Sequence, residues 1–284
     1  MTAVSVSGLQ KSYGAHEALR GIDFEIQAGE VFGLLGPNGA GKTTTVEILE
    51  GYRRRDSGTV EVLGEDPQRA GLRWRDRIGI VLQSSSLYPN LTVAESLGLF
   101  AGYYQHPLDV PRVIRLVGLE EKQDARVRTL SGGQQRRLDL GLGLIGDPEV
   151  LFLDEPTTGF DPAARRAAWD VIRSLRELGK TILLTTHYLD EAENLADRVA
   201  VLREGRIAAI GRPEDLTGSA PATEIRYRRD GKDVLVTTHE PTRVLHELTS
   251  EAIASGRELE NLSVRRPTLE EIYLALTGAE EGEE

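Results

Sequence analysis

The chain has no cysteine, a single methionine, two tryptophans and only 5% aromatic residues. Without cysteine there are no disulfides, no thiolate metal site and no thiol nucleophile. Basic residues are in deficit as well: 34 Lys and Arg stand against 45 Asp and Glu, a net charge of −11. A surface of that sign disfavours a phosphate backbone, so nucleic acid is not an expected partner. Long apolar runs are missing too, and nothing approaches the ~18 residues needed to cross a bilayer. The first residues, MTAVSVSGLQKSYG, lack the basic and apolar regions of a signal peptide. By elimination these features read as a cytoplasmic protein. At 284 residues, 39% hydrophobic and 28% charged, the chain can bury a sizeable core. It suits one large domain, or one domain with a smaller appendage.

What is present centres on Gly36 to Thr44, GPNGAGKTT. The spacing fits the phosphate-loop pattern G-x-x-x-x-G-K-S/T, with Gly36, Gly41, Lys42 and Thr43 in the required places. Before it, Val31 to Leu35 (VFGLL) is an apolar run of strand type; after it, Lys42 to Leu49 (KTTTVEIL) continues as a helix. Glycines let such a loop bend tightly and turn its N–H groups towards phosphates, and the helix N-terminus adds partial positive charge there. Lys42 would reach the terminal phosphates, and the Thr43 hydroxyl would ligate Mg²⁺.

Upstream, Ala3 to Leu9 and Leu19 to Ile26 alternate as strands, with Tyr13 in a loop between them. Tyr13 either packs on a sheet edge or stacks on a nucleotide base. Gly58 to Leu63 reads as a strand. The segment carrying Arg69, Arg73, Arg75 and Arg77 reads as a solvated helix face, because Asp66 and Asp76 are interspersed. Ile78 to Leu82 (IGIVL) suits a buried parallel strand. Gln83, at its C-terminal end, is either a ligand-facing residue or a simple polar loop residue. The stretch 84–145 is helical in pattern, over Val93 to Tyr104, Pro111 to Val117 and Gly132 to Ile145, and reads as an insertion between strands.

Leu130 to Gln134, LSGGQ, opens the last of these helices. Ser131 and Gln134 fit a capping box, which needs no ligand. Gly132 and Gly133 fit that explanation poorly, since each costs about 1 kcal/mol relative to Ala in a helix. Bare N–H groups at a helix start would make a second anion site. Gly141 and Gly143, farther along, suggest close approach of a neighbouring backbone. Glu149 to Glu155, EVLFLDE, reads as a buried strand ending in Asp154 and Glu155. Paired carboxylates at a strand end are costly to bury unless a cation or phosphate accounts for them. Asp154 suits Mg²⁺, directly or through water, and Glu155 suits a general base acting on water. Ile182 to Thr186 is another buried strand, followed by His187. Four such strands would deliver Lys42, Gln83, Asp154 with Glu155, and His187 to one sheet edge.

This constellation resembles the ATP-binding subunits of ABC transporters over roughly the first three-quarters of the chain. The resemblance rests on GPNGAGKTT, Gln83 in the Q-loop position, LSGGQ, VLFLDE as Walker B, Asp161 in the D-loop and His187 as the switch histidine. It implies an α/β fold, in which a P-loop NTPase core sheet carries an antiparallel β subdomain and a helical insertion. It also implies ATP and Mg²⁺ as bound species. Gly36, Pro37, Asn38, Gly39, Ala40, Gly41, Lys42, Thr43 and Thr44 would hold the nucleotide, and Tyr13 would stack on adenine. Thr43, Gln83 and Asp154 would hold the metal; Glu155, His187 and Gln83 would serve catalysis. Ser131, Gly132, Gly133 and Gln134 would act in trans, in a head-to-tail homodimer formed on ATP. Phe160 departs from the Leu usual in the D-loop, and Gly141 and Gly143 from the usual Ala; none touches a catalytic group.

Past Leu216 the composition shifts. The expected layout is an ATP-binding domain over 1–216, a linker over 217–222, a small α+β accessory domain over 223–278 and a disordered acidic tail over 279–284. Within the accessory domain, Glu224 to Thr238 reads as a hairpin turning at Asp230-Gly231. A helix over Pro241 to Ser255 follows, then a strand over Leu259 to Val264. A last helix starts at Thr268, with Thr268 and Glu271 as its capping box. This appendage, ending in PTLEEIYLALTG, resembles that of bacterial drug-exporter ATPase subunits of the daunorubicin-resistance type. The resemblance implies an ATPase subunit at the cytoplasmic face of the membrane, serving a separate transmembrane permease. Two alternatives stay open on the sequence: a soluble ATPase of the same type acting on nucleic acid or ribosomes, and an ATP-binding regulator that does not hydrolyse.

Overall fold

A computed structural model describes residues 1–82, 87–219, 223–229, 232–256 and 258–265. Two compact units separate between Ile210 and Gly211, ahead of the boundary expected after Leu216.

The first unit opens with strands β1 (Thr2–Tyr13) and β2 (His16–Gln27), then β3 (Val31–Leu35) and helix α1 (Lys42–Leu49). Next come β4 (Ser57–Val62), α2 (Leu72–Arg75), β5 (Ile78–Val81), α3 (Val93–Ala101), α4 (Val110–Leu116) and α5 (Gly132–Leu144). The unit is completed by β6 (Val150–Asp154), α6 (Pro162–Glu177), β7 (Thr181–Thr186), α7 (Leu189–Leu195), β8 (Arg198–Arg203) and β9 (Arg206–Gly211).

β1 and β2 form a long antiparallel hairpin, and β4 pairs on the other edge of β1. The hairpin extends farther than the alternation of the sequence suggests. Tyr13 is the last residue of β1, paired with His16 across a turn at Gly14 (φ 60°), and not a loop residue. Only glycine adopts that backbone at little steric cost, so the turn is placed by Gly14.

The second sheet has the order β5-β6-β7-β3-β8-β9, with β5, β6, β7, β3 and β8 parallel. Every residue of β3, β6 and β7 is buried, as expected of apolar runs covered on both faces. Successive residues supply opposite faces. Phe32, Leu34, Phe152 and Leu183 join the core shared with β1, β2 and β4, while Val31, Leu151, Leu153 and Leu184 join that of the inserted helices.

α3, α4 and α5 lie within the stretch read as a helical insertion. Thr92 caps α3 with a full capping box, and Asp109 caps α4 ahead of Pro111. The helix of the Arg-rich segment is short, Leu72–Arg75, because Trp74 turns inward and donates its indole N–H to Val62 O at 2.9 Å. Arg69, Arg73 and Arg75 stay exposed. Close approach holds at Gly143: a Cβ there would stand 2.7 Å from Val81 Cγ2, and one on Gly79 would stand 2.2 Å from Gly143 O. Gly141 differs, since its neighbours are the side chains of Leu97, Val113 and Val117 and not a backbone. α6, α7, β8 and β9 are not among the elements expected from the sequence, although α6 carries a plain start signal in Asp161 before Pro162.

The second unit contains α8 (Pro213–Ser219), β10 (Thr223–Arg229), β11 (Lys232–Thr238), α9 (Pro241–Ala254) and β12 (Glu260–Arg265). Its strands make an antiparallel sheet in the order β11-β10-β12. The expected turn at Asp230-Gly231, the helix from Thr268 and the tail over 279–284 lie outside the described residues. Of the linker expected over 217–222, residues 217–219 instead end helix α8, and 220–222 lie outside the described residues.

Candidate active site

Parallel register decides where the chemistry collects. Leu35 pairs with Thr186, Asp154 with Thr185, and Val81 with Leu153. The chain therefore leaves β3, β5, β6 and β7 at one sheet edge, where ligands bind in open α/β sheets. Three of the four expected deliveries are in place there: Lys42, Asp154 with Glu155, and His187. The fourth, Gln83, lies outside the described residues.

After β3 the loop turns through Gly39 (φ 81°) and Gly41 (φ 110°) into α1. A Cβ on Gly41 would stand 2.7 Å from Ala18 O, and one on Gly36 would stand 2.4 Å from Leu202 O. These two positions need glycine for space. Lys42 is buried, and its ammonium donates to Gly36 O at 2.7 Å and Pro37 O at 3.3 Å, curling the loop around its own lysine. Thr45 Oγ1 donates back to Gly41 O at 2.9 Å. A cleft of about 450 Å³ opens beside the loop, lined by Tyr13, Asn38, Lys42, Thr43, Thr44 and Glu155. The Tyr13 hydroxyl is 3.4 Å from Thr44 Oγ1, and the Arg53 guanidinium stands 5.1 Å from the Tyr13 ring centre.

Asp154 and Glu155 stand at the end of β6, and Glu155 lines the cleft. Asp154 is buried and accepts a hydrogen bond from the Thr185 hydroxyl. Glu155 takes a left-handed backbone (φ 46°), a conformation uncommon outside glycine and costing about 1–3 kcal/mol. Its N–H is held at 3.0 Å by Thr185 Oγ1 and at 3.2 Å by Thr185 O. This turn aims the side chain across the cleft. Glu155 Oε1 is 3.9 Å from Lys42 Nζ and 3.5 Å from His187 Nδ1, and Oε2 accepts from Thr158 Oγ1 at 3.1 Å. Burial pushes the Asp154 carboxyl up, and the neighbouring Glu155 pushes it further. Burial pushes the Lys42 ammonium down, against the opposing pull of Glu155 and Asp154.

Ser131 caps α5: its hydroxyl accepts from Gln134 N at 3.3 Å, and Gln134 Oε1 accepts from Ser131 N at 3.0 Å. The capping box is therefore real. Capping does not account for Gly132, where an added Cβ would meet nothing within 4 Å; at Gly133 it would meet Ala164 Cβ at 3.2 Å. Asp161 caps α6, accepting from the N–H groups of Ala163 and Ala164. Arg136, one turn into α5, is absent from the sequence expectations. Its buried guanidinium donates to Leu82 O, to Asp154 O at 3.0 Å, to Pro156 O at 3.1 Å and to Glu155 O at 3.3 Å. It thereby ties the LSGGQ helix to the ends of β5 and β6. The local pattern QQRRL gives no sign of this, because these four acceptors are backbone carbonyls distant in the chain.

Residues 19–158 match the family model described as ABC transporter. The Nod factor export ATP-binding protein I of Ralstonia nicotianae is 39% identical, over 98% of this chain and 94% of that protein. The chain belongs to the ABC transporter ATP-binding family. The daunorubicin resistance ATP-binding protein DrrA3 of Streptomyces coeruleorubidus is 38% identical, over 98% of this chain and 96% of that protein. Among solved structures, cbiO1 from Clostridium perfringens, described as part of the ABC transporter complex cbiONQ, superposes with a TM-score of 0.69 at 30% identity. That superposition covers 76% of this chain and 91% of that one. As a family member the chain is an ATP-binding cassette of the ATPase type.

Proposed function

We propose that this chain is the ATP-hydrolysing subunit of a bacterial exporter, acting at the cytoplasmic face of the membrane with a separate transmembrane permease. Two supports are the relatives named for Nod factor export and daunorubicin resistance. No helix among the described residues is long and apolar enough to cross a membrane. The partner permease would supply the path, and this chain the driving reaction.

The observation that carries the reading is the placement of Glu155 Oε1 between Lys42 Nζ at 3.9 Å and His187 Nδ1 at 3.5 Å. A triphosphate entering the cleft would draw the Lys42 ammonium off the Gly36 and Pro37 carbonyls and onto its terminal phosphates. The N–H groups of the Gly36 to Thr44 loop would take up the remaining phosphate charge. Glu155 would accept the proton of a water attacking the γ-phosphorus as the bond to the β–γ bridging oxygen breaks. His187 would hold Glu155 and the γ-phosphate in line, and Tyr13 would stack on the adenine. Thr43, Asp154 and Gln83 would hold Mg²⁺, whose charge offsets that of the phosphates. Among the described residues there is no cluster of three or more acidic, His or Cys ligands. That suits Mg²⁺, which binds through one or two carboxylates together with waters and substrate phosphates.

Ser131, Gly132, Gly133 and Gln134 would complete the site of a second copy. The exposed, sterically free Gly132 supports a contact made outside the chain's own fold. The C-terminal residues 223–278 form, in this reading, an accessory domain that adjusts dimerisation or regulation and takes no part in the chemistry. The decisive test is phosphate release by Glu155→Gln. Loss of a positioned general base slows turnover by about 10²–10⁴-fold; a rate within about tenfold of the parent would remove Glu155 from that role.

A further inference from the structure

Glu191 is fully buried, and the chemistry above leaves it unused. Its Oε1 accepts from Thr157 Oγ1 at 2.8 Å and from Trp169 Nε1 at 3.2 Å. Its Oε2 is equally enclosed and finds no hydrogen-bond partner among the described residues. A carboxyl is an expensive way to fill such a space, because its desolvation is only partly offset by its neutral neighbours, the hydroxyls of Thr157 and Thr186 and the indole of Trp169. Leucine or methionine would fill it without that cost.

What the carboxyl does is join three segments. Thr157 lies two residues beyond Glu155, and the next residue, Thr158, donates to Glu155 Oε2 at 3.1 Å. Trp169 lies on α6, whose first turn is capped by Asp161. Glu191 itself sits in the first turn of α7, four residues beyond His187. The intervening Tyr188 donates its N–H to Thr186 Oγ1 at 2.9 Å, and its ring lies 4.1 Å from that of His187. The Arg165 guanidinium of α6 also stands 4.2 Å from the centre of the Tyr188 ring. The exit of β6, the exit of β7 and helix α6 are thus held against one another by one oxygen atom and one aromatic ring.

We propose that Glu191 is a positioning residue for hydrolysis, fixing the Glu155–His187 geometry through Thr157 and Trp169. This rests on the reading of Glu155 as the general base. Burial pushes the Glu191 carboxyl up, so an amide is a near match for it. Glutamine keeps the accepting oxygen and replaces the unpartnered one with a neutral group.

The test is steady-state phosphate release and ATP affinity for the full chain carrying Glu191→Gln or Glu191→Ala. Misplacement of a reacting group by about 1 Å can cost about 10²-fold in rate. Glu191→Ala should therefore lose about tenfold or more in kcat, with KM and Mg²⁺-free ATP affinity within about twofold of the parent. Glu191→Gln should stay within about threefold of the parent. If Glu191→Ala lacks a cooperative melt, Thr157→Val carries the test, since it removes one donor at nearly constant volume; a fall in kcat at constant KM is expected there too. The proposal is overturned by an unchanged kcat in the variant that carries the test, or by a Gln variant as slow as the Ala variant. It is equally overturned by a change confined to KM. A parallel Glu155→Gln measurement separates the two ideas. If that variant stays active, the general-base reading falls. If it is inactive while Glu191→Ala turns over normally, only the positioning role falls.

Discussion

At the scale of single residues, the site gathers charge before any substrate is bound, and Glu50 shows the consequence for stability. It follows α1 directly and lines a cavity of about 600 Å³ with Tyr52, Arg75, Phe100 and Tyr104. Burial, reinforced by Asp154 and Glu47, pushes its carboxyl from 4.5 up to about 8. The folded chain therefore holds this proton over a range in which the unfolded chain has lost it. Its contribution is present in full below about 4.5 and is lost as pH rises towards 8. Glu50→Gln should melt higher than the parent at pH 8, by about 2–4 °C for each 1 kcal/mol relieved. The gap should narrow on going to pH 5. A melting difference that does not change with pH would contradict the assignment. The phosphate-loop and Walker B residues were legible in the sequence because their chemistry sits at fixed local spacing. Thr185, Arg136 and Glu191 were not. Thr185 reads only as part of an apolar strand, yet it anchors both Asp154 and the left-handed turn at Glu155.

At the scale of elements, α5 and β5 set the limits. Their backbones meet at Gly79 and Gly143, where no side chain fits. Gly143→Val should destabilise by about 1–3 kcal/mol, the usual cost of overpacking. Gly132→Ala, at the open start of the same helix, should leave the melt unchanged or raise it slightly, since alanine is the better helix former. Equal melting of the two variants would show that the close approach is not a constraint. Element type was legible wherever a run was continuously apolar, as in β3, β6 and β7, whereas the amphipathic α6 was not read as a helix. Ends were less so. β1 and β2 outrun their alternation because the hairpin pairs as far as Gly14, which polar residues such as Lys11 and Glu17 do not announce. The Arg-rich helix is short because Trp74 is drawn into the core, a long-range packing event with no local signal.

At the scale of the whole molecule, the chain is two units with a boundary at Ile210/Gly211. A chain ending at Arg212 keeps every strand of the six-stranded sheet. It should retain a cooperative melt and parental ATP affinity by calorimetric titration; loss of the melt would show that the first unit does not stand alone. The central claim is that ATP joins two copies, with Ser131 to Gln134 of one copy closing the phosphate loop of the other. The most direct measurement is the mass in solution of Glu155→Gln by light scattering, with and without ATP and Mg²⁺. On the proposed reading, removing the base would leave Lys42, Thr43 and the loop N–H groups to hold ATP, so the unhydrolysed nucleotide should bridge two chains. The account predicts a dimer with ATP and Mg²⁺, a monomer without them, and a monomer under both conditions once Ser131→Arg is added. A mass that ATP does not change, or a dimer that survives Ser131→Arg, would contradict it.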